Sequence, residues 1–73
     1  METKTLKPGN YMKTTSVIKF FSNAPTHLVY VEKCEKHIGE YDVYFSTADL
    51  KNIMSENMFR EMESECVTHM ILS

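Results

Sequence analysis

The chain has 73 residues and a mass of 8.5 kDa, which is enough for one small domain. Its 42% apolar and 25% charged residues exclude wholesale disorder, and no apolar run approaches the ~20 residues that span a membrane. With a net charge of −2, no apolar leader at the N-terminus and only two cysteines, the sequence predicts a cytoplasmic protein without a disulfide framework.

Charge is unevenly distributed along the chain. In residues 1–38, six lysines against three glutamates give a net charge of +3. In residues 39–73, one lysine and one arginine against seven acidic residues give −5. Such a split favours oriented association with a charged partner or with a second copy of the chain.

The N-terminal segment is predicted to be an arm. Residues 1–13 are mostly polar and contain the turn dipeptide Pro8-Gly9, which indicates a flexible basic arm. A single α+β domain is expected to follow over residues 14–73.

Three segments are then predicted to be strands, because they are rich in β-branched and aromatic residues. They are residues 14–21, 26–34 and 41–45, and tight alternation is clearest in the third. Gly39 lies in the turn before that third strand, where it is expected to supply an unusual backbone angle.

A helix is predicted to begin at Ser46. Its hydroxyl is suited to accept the backbone N–H of Asp49, and Phe45 and Leu50 have the spacing of a hydrophobic staple. Neither glycine nor proline interrupts the following residues as far as Glu63. An apolar stripe recurs there at steps of three and four, formed by Leu50, Ile53, Met54, Met58 and Met62.

Phe59 lies roughly opposite that stripe on a straight helix. Either Phe59 is exposed for a partner, or the helix bends near residues 55–57. The last segment, residues 64–73, is ambiguous between a continued helix and a fourth strand, and its residue types favour the strand.

The predicted fold is therefore a small antiparallel sheet of three or four strands, in the order β-β-β-α-β, with one helix packed on one face. Sheet alternation and the helical stripe together predict the core. Its members are Val17, Val29, Val31, Val43, Phe45, Leu50, Ile53, Met54 and Met62.

Two Cys-x-x-His pairs are the most specific pattern in the chain: Cys34 with His37, and Cys66 with His69. Zinc prefers four nitrogen or sulfur ligands in a tetrahedron, often supplied as two closely spaced pairs. The second pair converges on a helical turn but points to opposite faces on a strand. Buried cysteines with surface histidines are the favoured interpretation, and a zinc-stabilised module is the alternative.

Catalysis and nucleic-acid binding have weaker support. The chain has no nucleophile elbow, phosphate loop or carboxylate pair, so we predict that it is not an enzyme. Basic residues near aromatic ones in the N-terminal third favour nucleic-acid contact, but the pI near 5.8 and the single arginine argue against it. A nucleic-acid-binding module using the basic arm remains an alternative.

Protein binding fits the sequence best. An acidic helix is suited to a basic partner, and small phage-encoded inhibitors that imitate nucleic-acid charge offer an analogy of charge and size. The function predicted is a non-enzymatic regulator or inhibitor without a cofactor, acting through this helix and an exposed aromatic sheet face. The predicted partner-binding residues are Asp49, Glu56, Phe59, Glu61, Glu63, Glu65, Tyr30 and Tyr44.

Self-association is also predicted. A sheet covered on one side leaves its other side and its edges open, and Ile18, Phe20, Tyr30 and Tyr44 are expected on that open side. A homodimer would cover this surface, and the basic arm of one chain would contact the acidic helix of the other.

Overall fold

A computed structural model describes residues 6–39 and 41–72 of the chain. It confirms the α+β class, with a four-stranded antiparallel sheet and four helices. The strands are β1 (Gly9–Lys13), β2 (Lys36–Ile38), β3 (Val43–Ser46) and β4 (His69–Ile71), and the helices are α1 (Thr14–Phe20), α2 (Pro25–Glu32), α3 (Thr47–Ile53) and α4 (Glu56–Glu65). The order along the chain is therefore β-α-α-β-β-α-α-β, which differs from the predicted order.

The sheet has the spatial order β2-β3-β1-β4. The central pair aligns Met12 of β1 with Phe45 of β3, and β4 joins the other side of β1 with His69 opposite Tyr11. The β2–β3 hairpin aligns His37 with Tyr44. Strands β2 and β4 are consequently the two edges of the sheet.

All four helices pack on one face of the sheet. Met12 and Phe45 are fully buried on that face and belong to the same apolar cluster as residues from every helix. The buried members of this core are Met12, Val17, Phe21, Val31, Phe45, Leu50, Phe59, Met62 and Cys66. We call the opposite side of the sheet the outer face.

The predicted core is partly correct. Val17, Val31, Phe45, Leu50 and Met62 are buried, while Ile53 and Met54 are partly buried against them. Val29 and Val43 are not core residues, since 53% and 39% of their surfaces are exposed. Both were assigned to the core by strand alternation, which does not apply to Val29 because it lies on a helix.

The predicted strands at residues 14–21 and 26–34 are wrong, because these segments form α1 and α2. On α1, Val17 and Phe21 are four residues apart and both are buried, which is the spacing of one helix face. Pro25 occupies the start of α2, a position where its fixed backbone angle favours a helix. Packing against the sheet outweighs the strand preference of β-branched residues here.

The predicted arm is wrong where the structure describes it. Residues 9–13 form β1, which lies inside the sheet between β3 and β4. Tyr11 and Met12 are buried there. The first five residues of the predicted arm lie outside the described part of the chain, as do Glu40 and Ser73.

The predicted long helix is two helices, α3 and α4. Met54 has extended backbone angles at the end of α3, and Ser55 begins α4 by accepting the backbone N–H of Met58 at 3.2 Å. The predicted bend therefore occurs, and Phe59 is buried rather than exposed. The cap at Ser46 also forms, although its hydroxyl accepts the N–H of Ala48 rather than that of Asp49.

The C-terminal strand is confirmed as β4, and Val43–Ser46 forms most of the predicted third strand. Gly39 does not adopt a positive φ. Glycine is needed at position 39 because the Tyr44 ring approaches its backbone closely. A Cβ atom there would lie 2.9 Å from Cε2 of Tyr44. Among the described residues, no helix combines the length and apolar character needed to cross a membrane.

Candidate functional site

The outer face carries a cluster of four ring side chains. Sheet register places them on the side opposite to the buried Met12 and Phe45, so the four helices do not cover them. We call Tyr11, His37, Tyr44 and His69 the ring cluster. It draws one residue from each of the four strands.

Ring contacts hold this cluster together. The Tyr11 ring lies edge-on to His37 at 5.3 Å and to Tyr44 at 6.4 Å, and Tyr44 lies edge-on to His69 at 5.5 Å between centroids. The Tyr11 hydroxyl donates to the carbonyl oxygen of Lys7 at 2.7 Å, and only 4% of the residue is exposed. Aromatic pairs in this geometry are favourable beyond the area they bury, so the cluster forms an ordered surface.

The charges beside the ring cluster are mixed. Lys13, opposite Tyr44 in the sheet, forms an ion pair with Asp42 at 3.6 Å, and both side chains are partly exposed. A half-exposed pair of this kind contributes little to stability. The outer face is consequently aromatic without a local excess of lysine or arginine among the described residues.

A second candidate surface is the C-terminal half of α4. Glu61, Glu63 and Glu65 are exposed there, and no basic residue occupies the last turn of this helix. Arg60, the single basic residue of α4, forms an ion pair with Glu56 at 3.2 Å. We call Glu61, Glu63 and Glu65 the acidic end of α4.

The structure divides the predicted partner-binding residues among several surfaces. Tyr44 lies in the ring cluster, Tyr30 is half exposed on α2, and Asp49 lies in the first turn of α3. The glutamates of α4 are exposed on the helical side of the protein. The prediction that Phe59 belongs to a binding surface is wrong, because only 4% of this residue is exposed. The Nζ atom of Lys51 lies over the Phe59 ring, 5.4 Å from the ring centroid.

Of the residues expected on an exposed aromatic sheet face, Tyr44 does lie on the outer face, where its ring is partly buried. Ile18 and Phe20 lie on α1, and Tyr30 lies on α2, so none of the three belongs to the outer face. Sequence reasoning did not place Tyr11 in a ring cluster, and it treated His37 and His69 as surface residues or, in the alternative, as zinc ligands. The available signal was a tyrosine next to a large apolar residue in two segments, Tyr11 beside Met12 and Tyr44 beside Phe45, which on a strand places the tyrosines on the face opposite the core.

The structure does not bring Cys34, His37, Cys66 and His69 together. The Cys34 thiol lies near carbonyl oxygens of Tyr30 and Asp49, whereas the Cys66 thiol donates to the carbonyl oxygen of Ser16 at 3.5 Å. Cys66 ends α4 and His69 begins β4, so the second pair does not share a helical turn. The four-ligand zinc hypothesis is therefore not supported by this fold.

Both thiols are in environments that disfavour ionisation. Burial, with a smaller contribution from the Asp49 carboxylate, raises the pKa of Cys34. Burial, with a smaller contribution from Glu65, raises the pKa of Cys66. A nucleophilic cysteine needs the opposite shift, so these environments are those of structural thiols.

Metal-ligating side chains do converge elsewhere. Candidate ligand atoms of Glu35, His37 and Asp49 all lie within 4.8 Å of one another. Glu35 precedes β2, His37 belongs to β2 and Asp49 belongs to α3, so the group joins the edge of the sheet to a helix.

Comparison with models of known families, with curated proteins and with solved structures finds no match to this chain.

Proposed function

We propose that this protein is a non-enzymatic protein-binding module that recognises a basic partner through the acidic end of α4. The observation that carries the proposal is the placement of Glu61, Glu63 and Glu65 in the last five residues of a helix. These carboxylates are exposed, and the last turn holds no basic residue to balance them. A surface of this charge is complementary to a lysine- or arginine-rich one.

Helix stability alone does not account for this placement. The C-terminal end of a helix carries a partial negative charge, so anionic side chains there cost on the order of a few tenths of a kcal/mol each. Glu61 and Glu65 are also four residues apart, a spacing at which like charges repel on a helix. Charge that opposes the stability of its own helix supports a binding role.

The partly exposed rings of Tyr44, His37 and His69 provide a second contact surface for the same kind of partner, with the buried Tyr11 ring supporting them. Tyrosine is enriched at the centres of protein interfaces, and the edge-to-face rings of Tyr11 and Tyr44 are already ordered before any partner binds. The ring cluster and the acidic end of α4 lie on opposite sides of the sheet. A partner using both would therefore wrap around one edge, or the two surfaces serve two partners.

Single-stranded nucleic acid is the second candidate ligand, and the ring cluster is the observation that favours it. Rings on a sheet are a common platform for stacked bases, and Tyr44, His37 and His69 are partly exposed whereas Tyr11 is buried. Two observations argue against this role. Lys13 forms an ion pair with Asp42, and the acidic end of α4 would repel phosphates. The protein partner is therefore the better supported proposal.

The cellular role proposed is that of a small cytoplasmic regulator or inhibitor, of the phage or viral accessory type, that acts by occupying a surface of a larger protein. Self-association belongs to the same proposal. Edge strand β4 is flanked by exposed Val67 and Leu72, and 68% of Met70 within it is exposed. Unprotected apolar edges of this kind favour pairing with a second copy.

The test is affinity capture from the source cell with the full chain and with a Glu61→Gln, Glu63→Gln, Glu65→Gln variant. The wild type is expected to retain a protein partner in the presence of nuclease and chelator, and the variant is expected to lose it. A Glu32→Gln variant is the control, because Glu32 is an exposed glutamate on α2.

A stability measurement accompanies the capture. The triple variant is expected to melt at the same or a higher temperature than the wild type, because the opposing charges are gone. Loss of the partner then cannot be attributed to unfolding. Retention of the partner by the triple variant, or its release by nuclease alone, would contradict the proposal.

A further inference from the structure

The geometry points to a divalent metal site formed by Glu35, His37 and Asp49, and we propose that its ligand is one zinc ion. One imidazole and two carboxylates form a mixed nitrogen and oxygen donor set, which zinc accepts readily. Sites with three protein ligands leave one position of the tetrahedron for water. The sequence-based zinc hypothesis named four ligands, of which this site contains His37 alone. Glu35 and Asp49 take the place of the other three.

The three side chains come from segments that the fold holds in fixed relation. Glu35 immediately precedes β2 and His37 is the middle residue of β2, and their candidate ligand atoms lie close together. Asp49 belongs to the first turn of α3, which is anchored by the capping hydroxyl of Ser46 and by the fully buried Leu50. The site is thus built across a sheet edge and a helix rather than within one flexible loop.

The spacing is close to that of a coordinated ion. The candidate donor atoms lie within 4.8 Å of one another, whereas two ligands at about 2.1 Å from a tetrahedral zinc are roughly 3.4 Å apart. Rotation of the side chains would have to close this difference, and Glu35, which is exposed, is the least confined of the three.

His37 is positioned by its neighbours rather than by the metal. Its ring lies edge-on to Tyr11 at an interplanar angle of 66°, and it is opposite Tyr44 across β2 and β3. Contacts that orient a histidine ring reduce the entropy lost when it binds a metal. The ring cluster therefore acts as the support of the site.

Electrostatics also favour a cation here. Two carboxylates held this close repel each other, and a divalent ion offsets both charges. Among the described residues, the ion pairs are Lys13 with Asp42 and Arg60 with Glu56, so neither Glu35 nor Asp49 is balanced by a basic side chain. A bound zinc ion would supply that balance.

The experiment is a calorimetric titration of the untagged full chain with zinc chloride, after removal of metal by a chelator. One zinc ion per chain is expected. The variants Glu35→Gln, His37→Ala and Asp49→Asn are each expected to weaken zinc binding at least tenfold. His69→Ala is the matched control, since it removes the other histidine of the ring cluster but none of the proposed ligands.

Circular dichroism tests whether each variant is folded. Because Glu35 is exposed, Glu35→Gln is expected to fold, so its zinc affinity tests the proposal even if the other two variants unfold. Zinc binding weaker than about 100 μM by the wild type, or equal loss in the His69→Ala control, would overturn the proposal. Neither result would contradict the separate proposal that the acidic end of α4 binds a basic partner.

Discussion

Ser55 and Phe59 are joined across the first turn of α4, where the N–H of Phe59 donates to the carbonyl oxygen of Ser55 at 2.9 Å. Because a new helix begins at this turn, the Phe59 side chain enters the core instead of projecting from the far side of one long helix. Met62, three residues later, is fully buried on the same face. The break before Ser55 therefore lets both Phe59 and Met62 enter the core.

Removing the Ser55 hydroxyl is expected to destabilise the protein by about 0.5–2 kcal/mol, the usual cost of deleting a helix cap. Its Oγ accepts the N–H of Met58, which would lose this partner in Ser55→Ala. Urea unfolding measures the change. Ser64→Ala is the control, because the Ser64 hydroxyl bonds back to Glu61 within α4, and alanine favours a helix; it is expected to leave stability unchanged or slightly higher. Equal losses in both variants would contradict the capping role.

Leu50→Ala is expected to cost about 2–5 kcal/mol, through lost burial and the cavity left behind. Leu50 and Phe45 are both fully buried on either side of the Ser46 cap, so the substitution also removes half of the staple that starts α3. Val29→Ala on α2 is the matched control, because the exposed Val29 has little burial to lose. Thermal unfolding separates the two cases, and an unchanged melting temperature for Leu50→Ala would contradict the assigned core.

The elements that sequence reasoning placed correctly are those with a local signal. Ser46, with Phe45 before it and Leu50 after it, marks a helix start whatever the rest of the chain does. The strand over residues 43–46 alternates, and the strand at the C-terminus is rich in strand-favouring types. These features need no knowledge of distant parts of the fold.

The elements that were misplaced depend on tertiary packing. Thr14, Thr15 and Val17 favour strands as residue types, yet they form α1 because Val17 and Phe21 must reach the same core. Proline favours the start of a helix, and Pro25 does begin α2. Sequence reasoning gave more weight to the β-branched residues that follow it. The position of β1 in the middle of the sheet has no local signature, because strand order depends on which surfaces remain to be covered.

The candidate site was less predictable than the fold. The acidic residues of α4 follow directly from the sequence, since a glutamate-rich helix exposes most of its charges. The ring cluster does not, because it requires four strands whose order the sequence does not reveal. The convergence of Glu35 with Asp49 likewise depends on α3 lying beside the end of β2, a contact across fourteen positions of the chain.

Both cysteines are expected to resist alkylation in the folded protein. Burial raises the pKa of each thiol, so less thiolate is present near neutral pH than in an unfolded chain. Reaction with iodoacetamide at pH 8 should be slower than in denaturant, and slower at the buried Cys66 than at the partly buried Cys34. A cysteine that reacts as fast in the native state as in denaturant would show that its environment is wrongly described.

The same shifts give a stability that depends on pH. Since the folded thiols ionise at higher pH than the unfolded ones, the free energy of unfolding should fall as the pH rises above the ordinary thiol pKa of about 8.5. Below that pH both states hold the proton, and the thiols contribute no slope. Urea unfolding between pH 7 and pH 10 measures this trend, with a Cys34→Ala variant as the comparison in which the slope is smaller.

Edge strand β4 lacks the usual protection against pairing with another strand. Residues 66–72 contain no charged residue and no proline, the features that usually protect an edge from pairing. Met70 within β4 is exposed, as are Val67 and Leu72 on either side of it. We expect two copies of β4, related by a two-fold axis, to pair antiparallel, which would satisfy their free backbone groups and cover these side chains.

Sedimentation of the full chain at high micromolar concentration is expected to give a mass near twice 8.5 kDa. Met70→Lys should restore the monomer, because a charge on the edge opposes pairing with an identical strand. Ile38→Lys is the matched control: Ile38 is a comparably exposed residue on the opposite edge strand, β2, and its substitution should leave the dimer intact. A mass near 8.5 kDa at every concentration of the wild type would refute the dimer, whereas dissociation by Ile38→Lys but not by Met70→Lys would assign it to the other edge.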